Sequence, residues 1–293
     1  MLTYLRNSCS GLSYRTQLLL ILLPYLLGTL ILILVPALAT ALIAFTEYKP
    51  TGTPTWNGLE NFRELLASPL VRLSLRNSLI FLLAAVPLRL LVALFLALLL
   101  QRRATLFGLY RALIYLPTVI PEAAYALLWL WILNPIYGPL NMLLSAMGLP
   151  APAWLTEPET AILAMIIMSV FQIGEGFVVI LAGLQSIPRN VYEAATVDGA
   201  NGWQAFCYIT LPLITPWLLL LSFRDLIVSL QNTFAPSYIM TYGGPYYATT
   251  FVPLLIYEIA FDLFDFGLAA AVLVLTYILI GSLIFAVLNL LKI

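Results

Sequence analysis

Five ionisable side chains stand inside stretches that are otherwise apolar: Arg89, Glu122, Glu175 and the adjacent Arg224 and Asp225. An ionised group in lipid is costly, so each must face a cavity, a partner or an opposite charge. Gln172 and Glu175 are three residues apart and share a helix face, with Met168 one turn back. A carboxylate accepts hydrogen bonds from hydroxyl groups well and, unpaired, repels a phosphate. Gly174 and Gly176 leave backbone space beside it. A second polar group, Ser229, Gln231, Asn232 and Thr233, offers amides and hydroxyls that both donate and accept, which suits a polyhydroxylated ligand. Two readings stay open for the charges: contact with a ligand, or salt bridges between helices, with Arg89 and Arg224 as the available cations. For Glu122, packing against a helix or a partner subunit stands beside lining a path.

No catalytic constellation accompanies these groups. Histidine is absent, which removes imidazole catalysis and imidazole metal ligands, and no metal site is expected. The two cysteines, Cys9 and Cys207, lie far apart and imply no disulfide. No G-x-x-x-x-G-K-[S/T] phosphate loop exists, so the chain does not carry ATP hydrolysis itself.

The elements that must position these residues are membrane helices. Hydrophobic residues make up 62% of the chain and charged ones 9%, and the mean hydropathy is +1.02. Six runs are long enough to cross a bilayer, at about 18–45, 79–100, 112–133, 161–184, 213–238 and 267–290. Residues 1–17 precede them, and 18–293 read as a single transmembrane domain with no internal repeat. The first run begins too far in, and is too long, for a cleaved signal peptide. With the N-terminus inside, the cytoplasmic segments hold Arg6, Arg15, Arg102, Arg103, Arg111, Arg189 and Lys292; the outer ones hold only Lys49, Arg63, Arg72 and Arg76. That asymmetry follows the positive-inside rule and places both termini in the cytoplasm. No nucleic-acid partner is expected. Outside, Leu59 to Leu66 has the spacing of a short amphipathic helix on the membrane surface.

Between the fourth and fifth runs lies a polar stretch, Glu193 to Pro216. Asn190 and Glu193 have the spacing of a capping box, so a short helix is expected from Val191 to Asp198, ended by Gly199. Asn201 is placed to cap a second helix. Glu193, Ala194, Ala195, Asp198, Gly199, Ala200 and Phe206, followed by Ile209, Leu211, Pro212 and Pro216, resemble the EAA loop of ABC-importer permeases. Thr241 to Pro245, Gly58 to Asn61 and Leu116 to Thr118 resemble segments of the carbohydrate-uptake branch, of maltose, oligosaccharide and glycerol-phosphate type. The likeness covers roughly residues 40–290.

The resemblance implies an all-α integral membrane protein with six transmembrane helices, the type I ABC-importer permease fold, and a cytoplasmic coupling helix within loop 188–212. It implies a bacterial cytoplasmic membrane protein and a sugar as cargo, disaccharide or oligosaccharide, moved by alternating access. Glycerol phosphate or a polyol is the alternative. The implied partners are a second homologous permease, two ATPase subunits carrying ATP and Mg, an external sugar-binding protein and the bilayer; the chain itself is expected to bind no cofactor. Cavity residues of such permeases match Gln172, Glu175, Ser229, Gln231, Asn232 and Thr233, although an uncharged residue is usual where this chain has Glu175. The buried acids also fit an ion-coupled secondary transporter, against which six runs without a repeat argue.

Overall fold

The computed structural model describes residues 13–50, 52–101 and 106–290. Most of segment 1–17, and with it Arg6 and Cys9, lies outside the described residues, as do Arg102, Arg103 and Lys292. The chain divides into two units, one holding residues up to Leu65 with Ile259–Val274, the other Leu66–Glu258 with the C-terminal residues from Leu275.

The first unit opens with α1 (Tyr14–Thr29), capped by the Ser13 hydroxyl accepting from the Thr16 amide, at 3.4 Å. A π-turn over Leu30–Leu34 joins it to α2 (Val35–Ile43). No part of this apolar stretch is buried. A helix that is apolar around its whole circumference and has no buried residue faces lipid or another chain. A two-stranded hairpin follows, β1 (Thr46–Glu47) pairing antiparallel with β2 (Thr55–Trp56), and then the expected amphipathic helix α3 (Glu60–Ala67) with Leu65 buried. One buried amide ties these pieces together. Asn61 Nδ2 donates to the Ala44 and Thr46 carbonyls, each at 2.9 Å, while its Oδ1 accepts from Asn57 Nδ2. Asn61→Leu leaves both carbonyls without that donor. We expect a loss of about 2–3 kcal/mol, measured as a lower melting temperature of the purified chain.

The second unit is built on α4 (Pro69–Leu99), whose N-cap is Ser68. Around it lie α5 (Phe107–Val119), α6 (Glu122–Ile132), the short α7 (Pro139–Ala146), α8 (Pro158–Val170) and α9 (Gly174–Ser186). Then come α10 (Arg189–Val197), α11 (Gly202–Ala205), α12 (Leu211–Gln231), α13 (Phe234–Pro236) and α14 (Val252–Tyr257). The last helix, α15 (Phe266–Leu290), begins in the first unit and ends in this one. α4 packs mainly against α8, α9 and α12. The interior brings Ala93, Leu94 and Ala97 of α4 against Phe177, Ile180, Leu181 and Leu184 of α9 and Ile214 and Leu221 of α12. Lipid tails are as apolar as leucine, so close packing rather than water exclusion holds such helices together, and small residues permit it. Gly183 shows the need: a Cβ there would lie 3.1 Å from the Trp217 ring.

Two of the six expected spans are broken. The stretch placed at 112–133 is two helices, α5 and α6, bent by 101° at Ile120–Pro121. Ile120 precedes a proline and takes an extended ψ of 128°, since the proline ring disfavours the helical region for the residue before it. The stretch at 161–184 bends by 47° between α8 and α9. Among the described residues, four helical runs are long and apolar enough to cross a membrane, or up to six if each bent pair counts as one span.

The glycine turn near Thr241 is the other special geometry. Tyr242 and Gly243 both have positive φ, 47° and 77°. A Cβ on Gly243 would meet the Thr250 side chain and stand 3.2 Å from Leu254 Cδ2. Hydroxyls hold the turn: Thr249 Oγ1 donates to Gly244 O at 2.8 Å and Thr250 Oγ1 to Gly243 O at 3.1 Å.

Candidate functional site: a charged cavity and a structured polar loop

The helix breaks decide where the acids go. Glu122 is the first residue of α6, and Glu175 lies in the first turn of α9. A helix N-terminus carries partial positive charge, and it favours a carboxylate in its first turn. Both breaks thus set an acid beside amide donors partway through an apolar stretch. α4 and α12 supply the opposing arginines.

All five charges line one cavity of about 280 Å³, together with Thr118, Gln172, Asn232 and apolar walls from Leu90, Ala93, Ile120 and Val228. Four of the five are chained. Arg89 bridges to Asp225 at 3.3 Å and donates to the Ser229 hydroxyl at 2.7 Å. Arg224 reaches Asp225 at 3.2 Å and pairs with Glu175 across from α9. The links differ in setting: the Arg89 and Asp225 side chains are 9% and 7% exposed, those of Arg224 and Glu175 40% and 45%. The first is a buried clamp between α4 and α12; the second is a half-solvated bridge between α9 and α12. Glu122 stands outside the chain. Its partner is Asn232, whose amide, oriented so that nitrogen meets acceptors, donates to Glu122 Oε1 at 2.9 Å and to Val228 O at 3.1 Å.

Of the residues singled out from sequence, Gln172, Glu175 and Asn232 line this cavity. Ser229 and Thr233 border a small adjoining space of about 20 Å³ with Gln172, Asn232 and Arg89. Gln231 is exposed and lines neither. Two positions beyond Ser229 on a helix is about 200° around it, so Gln231 points away. Arg89, Thr118, Glu122, Arg224 and Asp225 belong to the site and are missing from the ligand set read from sequence. Their signal was charge within apolar runs; which of them converge is a matter of long-range packing. Tyr125, near the cavity wall in sequence, donates its hydroxyl to Met168 O at 2.8 Å and is buried.

The loop at 188–212 forms two short helices. The expected capping box at Asn190 and Glu193 is absent. α10 starts earlier, with Pro188 as its N-cap in extended backbone, so Asn190 sits inside the first turn. Glu193 pairs with Arg189 at 3.1 Å on the exposed face instead, one helical turn away. Gly199 has φ of 80°, and the Ala200 amide donates to Ala195 O at 2.9 Å, closing the helix in the left-handed manner. Asn201 caps α11 with a full capping box through Gln204, both bonds at 2.9 Å. Ala194 and Asp198 are exposed, Ala195, Ala200 and Phe206 half-buried. Val197, Trp203 and Tyr208 present their apolar surfaces outward. Tyr192 anchors the loop, its hydroxyl 2.9 Å from Thr210 Oγ1.

Residues 89–292 match the family model for the inner membrane component of binding-protein-dependent transport systems. The chain belongs to that family. It is therefore a permease component, and its membrane-spanning fold is mainly helical. A probable ABC transporter permease protein of Bacillus subtilis, YesP, is 36% identical to this permease over 88% of the chain and 84% of its own length. The trehalose/maltose transport system permease protein MalF of Thermococcus litoralis is 33% identical over 94% of each chain. A crystallographic bacterial ABC transporter involved in import of the acidic polysaccharide alginate contains a chain of the same fold. It is 24% identical, with a TM-score of 0.77 over 98% of both chains.

Proposed function

We propose that this permease is the membrane subunit through which an ATP-driven importer moves a sugar, disaccharide or oligosaccharide, into the cell. The observation that carries the reading is the cavity, where amide, hydroxyl and charged groups from α4, α9 and α12 converge between apolar walls in a transport-family fold. Sugar hydroxyls both donate and accept, so one cargo can satisfy Gln172, Glu175, Ser229, Asn232 and Thr233 in turn. The partners are a second homologous permease, two ATPase subunits that hold ATP and Mg, and an external binding protein. The α10–α11 segment, with Glu193, Ala194, Ala195, Asp198, Gly199, Ala200 and Phe206, faces the cytoplasm and docks on an ATPase. ATP-driven closure pulls that segment and reorients the helices that line the cavity. A polyol or glycerol phosphate is the alternative cargo.

The test is uptake of a labelled disaccharide such as maltose by vesicles holding the complete transporter. We expect uptake to require internal ATP and to survive collapse of proton and sodium gradients; uptake that follows the gradients instead points to a secondary transporter. Within that assay, Glu175→Gln should retain partial transport and Glu175→Leu should lose most of it. One charge-assisted hydrogen bond corresponds to about 1.5–3 kcal/mol, or about ten- to a hundred-fold at the site. Because the Glu175–Arg224 bridge is half-solvated, melting should change by no more than about 1 kcal/mol in either variant. Wild-type uptake in the leucine variant sinks the assignment of Glu175.

A further inference from the structure

The cavity holds three carboxylates, Glu122, Glu175 and Asp225, against two guanidiniums, Arg89 and Arg224. Both arginines already face acids: Arg89 faces Asp225, and Arg224 faces Glu175 and Asp225. Glu122 has only the neutral Asn232 amide. The lining therefore carries one unbalanced negative charge. Two of the lining residues, Arg89 and Thr118, also keep a buried polar atom, Nε and Oγ1, without a hydrogen-bond partner. A cargo hydroxyl can donate to Glu122 and accept from the Gln172 amide that shares the lining. A phosphate or carboxylate can accept but not donate, and it meets a lining whose cations are spent.

We propose that Glu122 sets the charge specificity of this cavity, admitting neutral or cationic polyhydroxylated cargo and rejecting cargo that bears phosphate or carboxylate. As a statement about cargo this rests on the importer reading above; as a statement about the potential in the cavity it does not. Among the cargo classes open to this permease, it favours sugars, amino sugars and polyols over glycerol phosphate. α6 reinforces the assignment, since Glu122 stands in its first turn, where the positive end of a helix favours a carboxylate.

The experiment reads the potential directly. In the complete transporter with Cys9→Ser and Cys207→Ser, Val228→Cys places a thiol on the cavity wall. Its rates of modification by methanethiosulfonates bearing trimethylammonium or sulfonate are compared, each normalised to a free thiol in solution. With Glu122 present, the cationic reagent should react faster. Glu122→Gln should lower the cation-to-anion ratio by about ten-fold, as expected for one charge a few ångströms away in a half-solvated cavity. Glu122→Asp should restore it, which a packing role does not explain. An unchanged ratio in Glu122→Gln, or a ratio at or below one in the parent, overturns the proposal. Failure of maltose uptake with the expected ratio overturns the sugar reading and leaves the charge specificity standing.

Discussion

Asp225→Leu is expected to be the most damaging single substitution in the membrane interior. It strips Arg89, buried in α4, of its carboxylate and leaves that guanidinium with the Ser229 hydroxyl alone. Removing one partner of a buried pair costs about 3–5 kcal/mol, because the other charge stays buried and uncompensated. Arg89→Met should cost less, since Asp225 keeps Arg224 at 3.2 Å. The double variant should recover much of the loss, with an interaction energy of about 1–3 kcal/mol in the double-mutant cycle. Melting of the purified chain in detergent measures all three. Additive effects of the two substitutions would mean that the buried link contributes nothing as a pair.

The second large effect is expected at Gly199, where function should fail while the fold persists. Its φ of 80° lies where proline, fixed near −65°, cannot go, and its amide donates to Thr196 O at 3.1 Å. Gly199→Pro therefore opens the C-terminal cap of α10 and misplaces α11. No neighbouring atom lies within 4 Å of a Cβ added there, so the change acts through backbone shape and not through a clash. In the complete transporter, cargo-stimulated ATP hydrolysis should be lost, with membrane abundance and melting close to the parent. Gly199→Asn, which tolerates the left-handed region, should keep much of the stimulation. Parent-level stimulation in the proline variant would show that the loop is passive.

What could be read from the sequence was local. Gly199 and Asn201 act within a few residues of themselves, and a sequence carries such chemistry openly. The capping box at Asn190 failed because two starts compete for one helix, and Pro188, already extended, takes the earlier one. The break at Ile120–Pro121 was legible in principle from the proline rule, but a continuous apolar run masked it. The bend between α8 and α9 has no proline, and only tertiary packing reveals it. The charges announced a site; their pairings did not follow, because Arg89 and Asp225 meet across 136 positions of chain. Gln231 shows the opposite case: neighbours in a polar run wind around the helix, and this one leaves the cavity.

The run from Gly202 to Thr241 is helical over 40 residues, with π-turns at Phe206–Thr210 and Ser237–Thr241. At about 1.5 Å per residue it reaches roughly 60 Å, from the cap at Asn201 past the cavity to the glycine turn. Under the coupling proposed above, a turn of this run should carry Arg224 away from Glu175 while Arg89 keeps α4 with α12, because the first bridge is half-solvated and the second is buried.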